Sequence, residues 1–144
     1  MAFLSWSEQY LIGNPVIDNE HRELFLLINQ VHNDWVETQD REVIARALTR
    51  MVEYAERHFQ HEEAIMAQAG YPSLDEHQRV HETLIEQIFK LHHEYAHRGL
   101  RFESGTLKFL KTWLVGHILE NDYQFRDFLR RTPSEPPAAA DPAE

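Results

Sequence analysis

Apolar residues recur at three- and four-residue spacing along four long stretches, separated by short polar or glycine-containing breaks. That period predicts amphipathic helices, each with one buried face. An arm carrying Trp6, Tyr10, Leu11 and Ile12 comes first and ends in the turn signal Gly13-Asn14-Pro15. Asp18 is placed to cap a helix reaching Glu37, with Leu24, Phe25, Ile28, Val31 and Trp35 on one face. A second helix is predicted after Asp40, with Ile44, Leu48, Met51 and Ala55 inward and Gly70 as its stop after Ala69. Ser73-Leu74-Asp75-Glu76 has the form of a capping box for a third. Its core stripe reads Leu74, His77, His81, Leu84, Ile88, Leu91 and Tyr95, and Arg98-Gly99 ends it. A fourth runs from Ser104 to Arg130, with Leu107, Leu110, Leu114, His117 and Phe125 inward. Helices of this length on short connections pack as an antiparallel up-down four-helix bundle. The expectation is an all-α domain over residues 1–131 with an N-terminal arm, then a disordered tail over 132–144, rich in Pro and Ala.

Composition narrows the chemistry. A net charge of −10 argues against nucleic acid or an anionic membrane as partner. Cysteine is absent, which removes disulfides, thiolate ligands and thiol catalysis. No apolar run has the length of a membrane span, and the N-terminus lacks a basic segment followed by an apolar one. A cytoplasmic protein without membrane insertion is expected.

The apolar stripe of the second helix, continued forward, reaches His58 and then Glu62. An imidazole and a carboxylate one turn apart on a core-facing stripe are costly to bury unless paired or metal-bound. The other helices repeat the anomaly with His21, with His77 and His81, and with His117, and Asp122 follows on the fourth. A single core histidine is most simply a hydrogen-bonded packing residue. Five imidazoles with two carboxylates could not all find partners in a narrow bundle core, and metal binding becomes the better reading. The fourth helix leaves one ambiguity. Five residues turn a regular helix by roughly 140°, so Asp122 joins His117 only if the helix is locally distorted or the site lies between faces, and Glu120 and Asn121 are rivals by position.

So many nitrogen and oxygen donors exceed the four ligands of one zinc and suit neither Ca²⁺ nor Mg²⁺. Two six-coordinate first-row metals need about 12 positions. Bridging carboxylates, the histidines and a bridging oxide or hydroxide would fill all but one of them.

At this point the chain resembles the hemerythrin family, and in particular its single-domain bacterial members. The resemblance rests on Trp6, Tyr10 and Gly13, on Ile17-Asp18-Asn19-Glu20-His21, and on His58-Phe59-Gln60-His61-Glu62-Glu63 with Met66. Tyr71-Pro72, His77 with His81, and Trp113-Leu114-Val115-Gly116-His117-Ile118 with Asp122 complete it. Leu84 departs from the pattern, standing where many relatives carry Phe.

The resemblance implies a non-haem di-iron centre: two iron ions joined by a bridging oxide or hydroxide. One iron would be held by His77, His81 and His117 and the other by His21 and His58, with Glu62 and Asp122 bridging. O₂ would bind at the iron with two histidines, and Leu24, Trp113, Leu114 and Ile118 match the pocket positions. The implied function is reversible O₂ binding for carriage, storage or delivery to an oxygen-consuming enzyme, by a monomer that is not itself an enzyme. The alternatives are an O₂ or redox sensor, and a di-iron enzyme such as a peroxidase or a nitric-oxide-reducing protein. The remaining histidines, His32, His61, His92, His93 and His97, are expected to be solvated, and Glu63 to be solvated or to orient a ligand.

Overall fold

The computed structural model describes residues 2–99 and 101–131; the tail expected over 132–144 lies outside them. The chain order is a short 3-10 turn Glu8–Tyr10, then α1 (Pro15–Glu37), α2 (Arg41–Ala69), α3 (Leu74–His97) and α4 (Ser104–His117). A π-wound segment, Ile118–Asp122, joins α4 to α5 (Tyr123–Arg131), so these pieces form the fourth rod of an all-α, up-down four-helix bundle. Local chemistry closes both ends of α2. Asp40 caps α2 by accepting from the N–H groups of Glu42 and Val43. Gly70, at φ 72°, takes the left-handed conformation that lets Tyr71 N–H reach the Met66 carbonyl at 3.0 Å.

Two cap expectations are corrected. Asn14, not Asp18, caps α1, its Oδ1 accepting from Val16 and Ile17, and Pro15 occupies the first turn, where its missing N–H costs nothing. Asp18 sits inside α1 and reaches back to the arm, accepting from Ile12 N–H at 2.7 Å and Gly13 N–H at 3.2 Å. The Ser73 side chain makes no capping bond; with ψ at 24°, Ser73 is not in the extended conformation from which such a side chain reaches the first turn.

The buried faces follow the apolar periods. Ile28, Leu48, Ile88, Leu110 and Leu114 meet in one core with Phe25 and Phe125, each side chain worth about 1.5–3 kcal/mol of burial. The arm is tied down at Leu4, whose N–H and C=O both bond the Asn29 amide, and by Trp6 and Tyr10 edge-on to Phe25. Trp35, Leu74, Leu84 and Leu91 sit on the expected faces but are only half buried. Among the described residues no helix is long and apolar enough to cross a membrane.

Candidate metal centre

The core changes character midway along the rods. His21 of α1, His58 and Glu62 of α2, His77 and His81 of α3, His117 of α4 and Asp122 of the π segment all turn inward, none more than 5% exposed. Their donor atoms form two groups, each within 4.8 Å internally: Glu62, His77, His81, His117 and Asp122, and His21, His58, Glu62 and Asp122. Both carboxylates belong to both groups. Glu62 turns Oε1 to His77 Nε2 (2.9 Å) and His81 Nε2 (3.0 Å), and Oε2 to His21 and His58 (3.5 Å each). Asp122 does the same, with Oδ1 at 3.1 Å from His77 and 3.2 Å from His117 and Oδ2 at 3.0 Å from His21.

The outer nitrogens are held from behind. His58 Nδ1–H donates to Glu20 at 2.7 Å, His81 Nδ1–H to Glu63 at 2.7 Å and His117 Nδ1–H to the Asn121 carbonyl oxygen at 3.0 Å. Such partners fix ring orientation and tautomer. Phe59 adds an apolar wall, its ring stacked on His81 at 3.9 Å. Glu20, Asn121 and Phe59 were not assigned these roles from sequence. Position beside a candidate ligand was the available signal, and it does not say which helix the side chain will face.

The donor set can be tested for a cation without one being present. With Nδ1 of His81 and His117 donating outward, the neutral rings carry lone pairs on Nε2, yet these two atoms face each other at 3.1 Å. Only a positive charge reconciles them. Moreover, His21 Nδ1 and Nε2, His58 Nε2, Glu62 Oε2 and both Asp122 oxygens are buried without a hydrogen-bond partner. Orphaned groups of this kind cost several kcal/mol unless compensated. The residues fit a pair of cations.

Protons are the substitute. Burial by itself disfavours charged imidazole, but the Asp122 and Glu62 carboxylates outweigh it and push His21 up to about 9 and His117 up to about 10. Burial likewise opposes the charge on Asp122, as does neighbouring Glu62, yet His117 and His21 hold it well below the usual carboxylate range. Glu62 is lowered in the same way, against its own burial, by the surrounding histidines. The cluster thus attracts positive charge, and a metal competes with protons for it.

Leu24 and Ile118 are fully buried and Leu114 nearly so. Trp113 donates its indole N–H to the Leu84 carbonyl at 2.9 Å and lies against Phe59. The expectation of solvated outer histidines holds for His93 and His97, which are exposed. It holds also for His61, which is exposed although its Nδ1 lies 2.6 Å from Glu20. It is corrected for two others, both half-buried: His92 bonds Thr49 at 2.8 Å, and His32 stacks on Phe3. Each of the three reaches a partner on another segment, which helical phase alone does not reveal.

Fold and cluster together define a class: a four-helix bundle whose interior is a shared histidine and carboxylate cluster suited to cations. Residues 13–129 match the family described as the hemerythrin HHE cation binding domain, and the chain belongs to that family. It is 33% identical over 133 residues to a bacteriohemerythrin of Stenotrophomonas maltophilia, covering 88% of this chain and 82% of that one. A bacteriohemerythrin of Clostridium acetobutylicum is 32% identical over 128 residues, covering 85% and 98%. The crystal structure of a wild-type hemerythrin superposes with a TM-score of 0.80 at 24% identity, covering 88% of this chain and 97% of that one, a likeness of fold.

Proposed function

We propose that this protein binds O₂ reversibly at a non-haem di-iron centre, for carriage, storage or delivery to an oxygen-consuming enzyme. The observation that carries the reading is the pair of donor groups sharing Glu62 and Asp122, each carboxylate turning one oxygen to each group. In this reading His77, His81 and His117 hold one iron, His21 and His58 hold the other, and Glu62 and Asp122 bridge. Mixed imidazole and carboxylate donors suit first-row metals, and family membership favours iron. Iron held there would supply the redox chemistry that reversible O₂ binding needs.

The chain's own task is to hold that pair in place and keep water out. Glu20, Glu63 and Asn121 fix three of the imidazoles, which resists loss of metal. Leu24, Leu114 and Ile118 are apolar and buried, and a dry wall slows proton delivery to bound oxygen, which would otherwise end reversibility. The histidine-rich set also favours binding over the oxidase chemistry of carboxylate-rich bundles built on Glu-x-x-His pairs. The protein acts as a monomer in this reading.

The test is an optical spectrum of the iron-loaded, reduced protein before and after air, and again after deoxygenation. A charge-transfer band that appears with air and disappears on deoxygenation is expected. Immediate conversion to an oxidised form with release of peroxide would replace carriage by an enzymatic or sensing role.

A further inference from the structure

A groove of about 490 Å³ runs along the seam between α3 and α4, within the size range of small-molecule sites. Its α4 wall is an aromatic pair four residues apart, Phe109 and Trp113, and its α3 wall is aliphatic, Val80 and Leu84. Trp113 is only 4% exposed, and its indole N–H bonds the Leu84 carbonyl, so this residue ties the two walls together. Phe109 is 37% exposed, which leaves ring surface available for stacking. The exposed Phe109 ring, with Val80 and Leu84 lining the same groove, offers an apolar face on which a flat ring can stack.

The floor and ends say which kind. Gly116 and His117 form the floor, and His117 is also a member of the three-histidine group. A Cβ at Gly116 would meet nothing closer than Thr112 Cγ2 at 3.9 Å. Packing therefore does not require glycine there, although it weakens a helix interior relative to alanine. A side chain at Gly116 would instead extend into open space beside the groove that Gly116 and His117 both line. Polar groups lie at the ends, Gln87 at one and Asn121 with Glu120 at the other, and no lysine or arginine lines the groove. With Glu120 at the edge and a net charge of −10 on the chain, an anionic ligand finds no counter-charge.

We propose that this groove binds a neutral planar aromatic electron donor of the quinol class and passes its electrons to the metal pair through His117. The quinol loses two electrons and two protons and becomes the quinone. Each electron reduces one ferric ion, and the protons leave to solvent. The proposal rests on the di-iron reading for its second half only, since binding does not require metal.

The experiment uses menadione and menadiol with the full chain and its Gly116→Leu variant, a substitution the helix accommodates. Equilibrium dialysis of menadione against metal-free protein is expected to show saturable binding, weakened about tenfold or more in Gly116→Leu by steric exclusion. Anionic menadione sulfonate should not bind. In the iron-loaded, oxidised protein, menadiol should reduce the wild type about tenfold faster than the variant, as a docked donor outruns a diffusing one. Dithionite should reduce both at similar rates. Absence of saturable menadione binding, equal binding by the variant, or equal menadiol rates overturns the proposal. If dithionite also fails to reduce the centre, the di-iron reading falls instead, and the dialysis result alone decides the groove.

Discussion

Oδ1 of Asp122 lies 3.2 Å from Nε2 of His117 across a spacing of five residues. A regular α-helix would have turned Asp122 away by roughly 140°. Between them the rod is π-wound, Ile118–Asp122, with the Tyr123 N–H bonding the Ile118 carbonyl five residues back. That wider turn returns Asp122 to the face of His117. It also leaves Asn121 beside the outer nitrogen of the same ring, so the rivals by position receive different tasks. Glu120 stays exposed.

The shared carboxylates should control metal stoichiometry. If wild type holds two irons per chain, as proposed, Glu62→Ala or Asp122→Ala is expected to retain roughly one or none, because each change removes a donor from both groups and leaves imidazoles uncompensated. Iron content after gel filtration measures this. Two tightly held irons in Glu62→Ala would contradict bridging.

Glu20 should matter without touching metal. It accepts from both His58 and His61, and its own ionisation, opposed by partial burial, is favoured by those two bonds. Glu20→Ala frees the His58 ring and should weaken metal affinity about 10- to 100-fold. Glu20→Gln, which retains an acceptor oxygen, should lose less. Chelator competition reads the difference, and unchanged affinity in Glu20→Ala would remove the orienting role.

The metal-free protein should lose stability as pH rises. His21 and His117 titrate at about 9 and about 10 when folded, against an ordinary value near 6.5. Groups raised on folding stabilise fully below the unfolded value, and that stability drains away as pH climbs through the folded values. The carboxylates, lowered on folding, stay ionised throughout this window. Thermal melting of the metal-free form is therefore expected to fall steadily between pH 6.5 and 10, by an amount on the order of several kcal/mol. Iron-loaded protein, whose imidazoles are deprotonated by the metal, should show a much flatter profile. A flat profile for the metal-free form would mean that the histidines are not protonated together.

Leu114 should couple stability to the proposed retention of O₂. It is 1% exposed in the core, and Leu114→Ala should cost about 2–5 kcal/mol through lost contacts and a cavity. The same cavity admits water, so autoxidation of the oxygenated protein should quicken. Destabilisation with an unchanged autoxidation rate would confine Leu114 to packing.

Sequence by itself determined the helices, their inward faces and the family, because a period of 3.6 and the breakers Gly70 and Gly99 act locally. It also put Glu62 on the face of His58, and His81 on that of His77, since four residues make about one turn. Three matters required the tertiary structure. Asp18 looks like the cap until the arm folds back and claims it for Ile12 and Gly13, leaving the cap to Asn14. The partners of Glu20, His58 and His61, lie 38 and 41 residues away on another helix, beyond any local pattern. The π turn that brings Asp122 round cannot be read from spacing, because helical winding is settled by which buried groups gain most from coming together. Here the gain lies in bringing a second shared carboxylate to five imidazoles that no local interaction could satisfy.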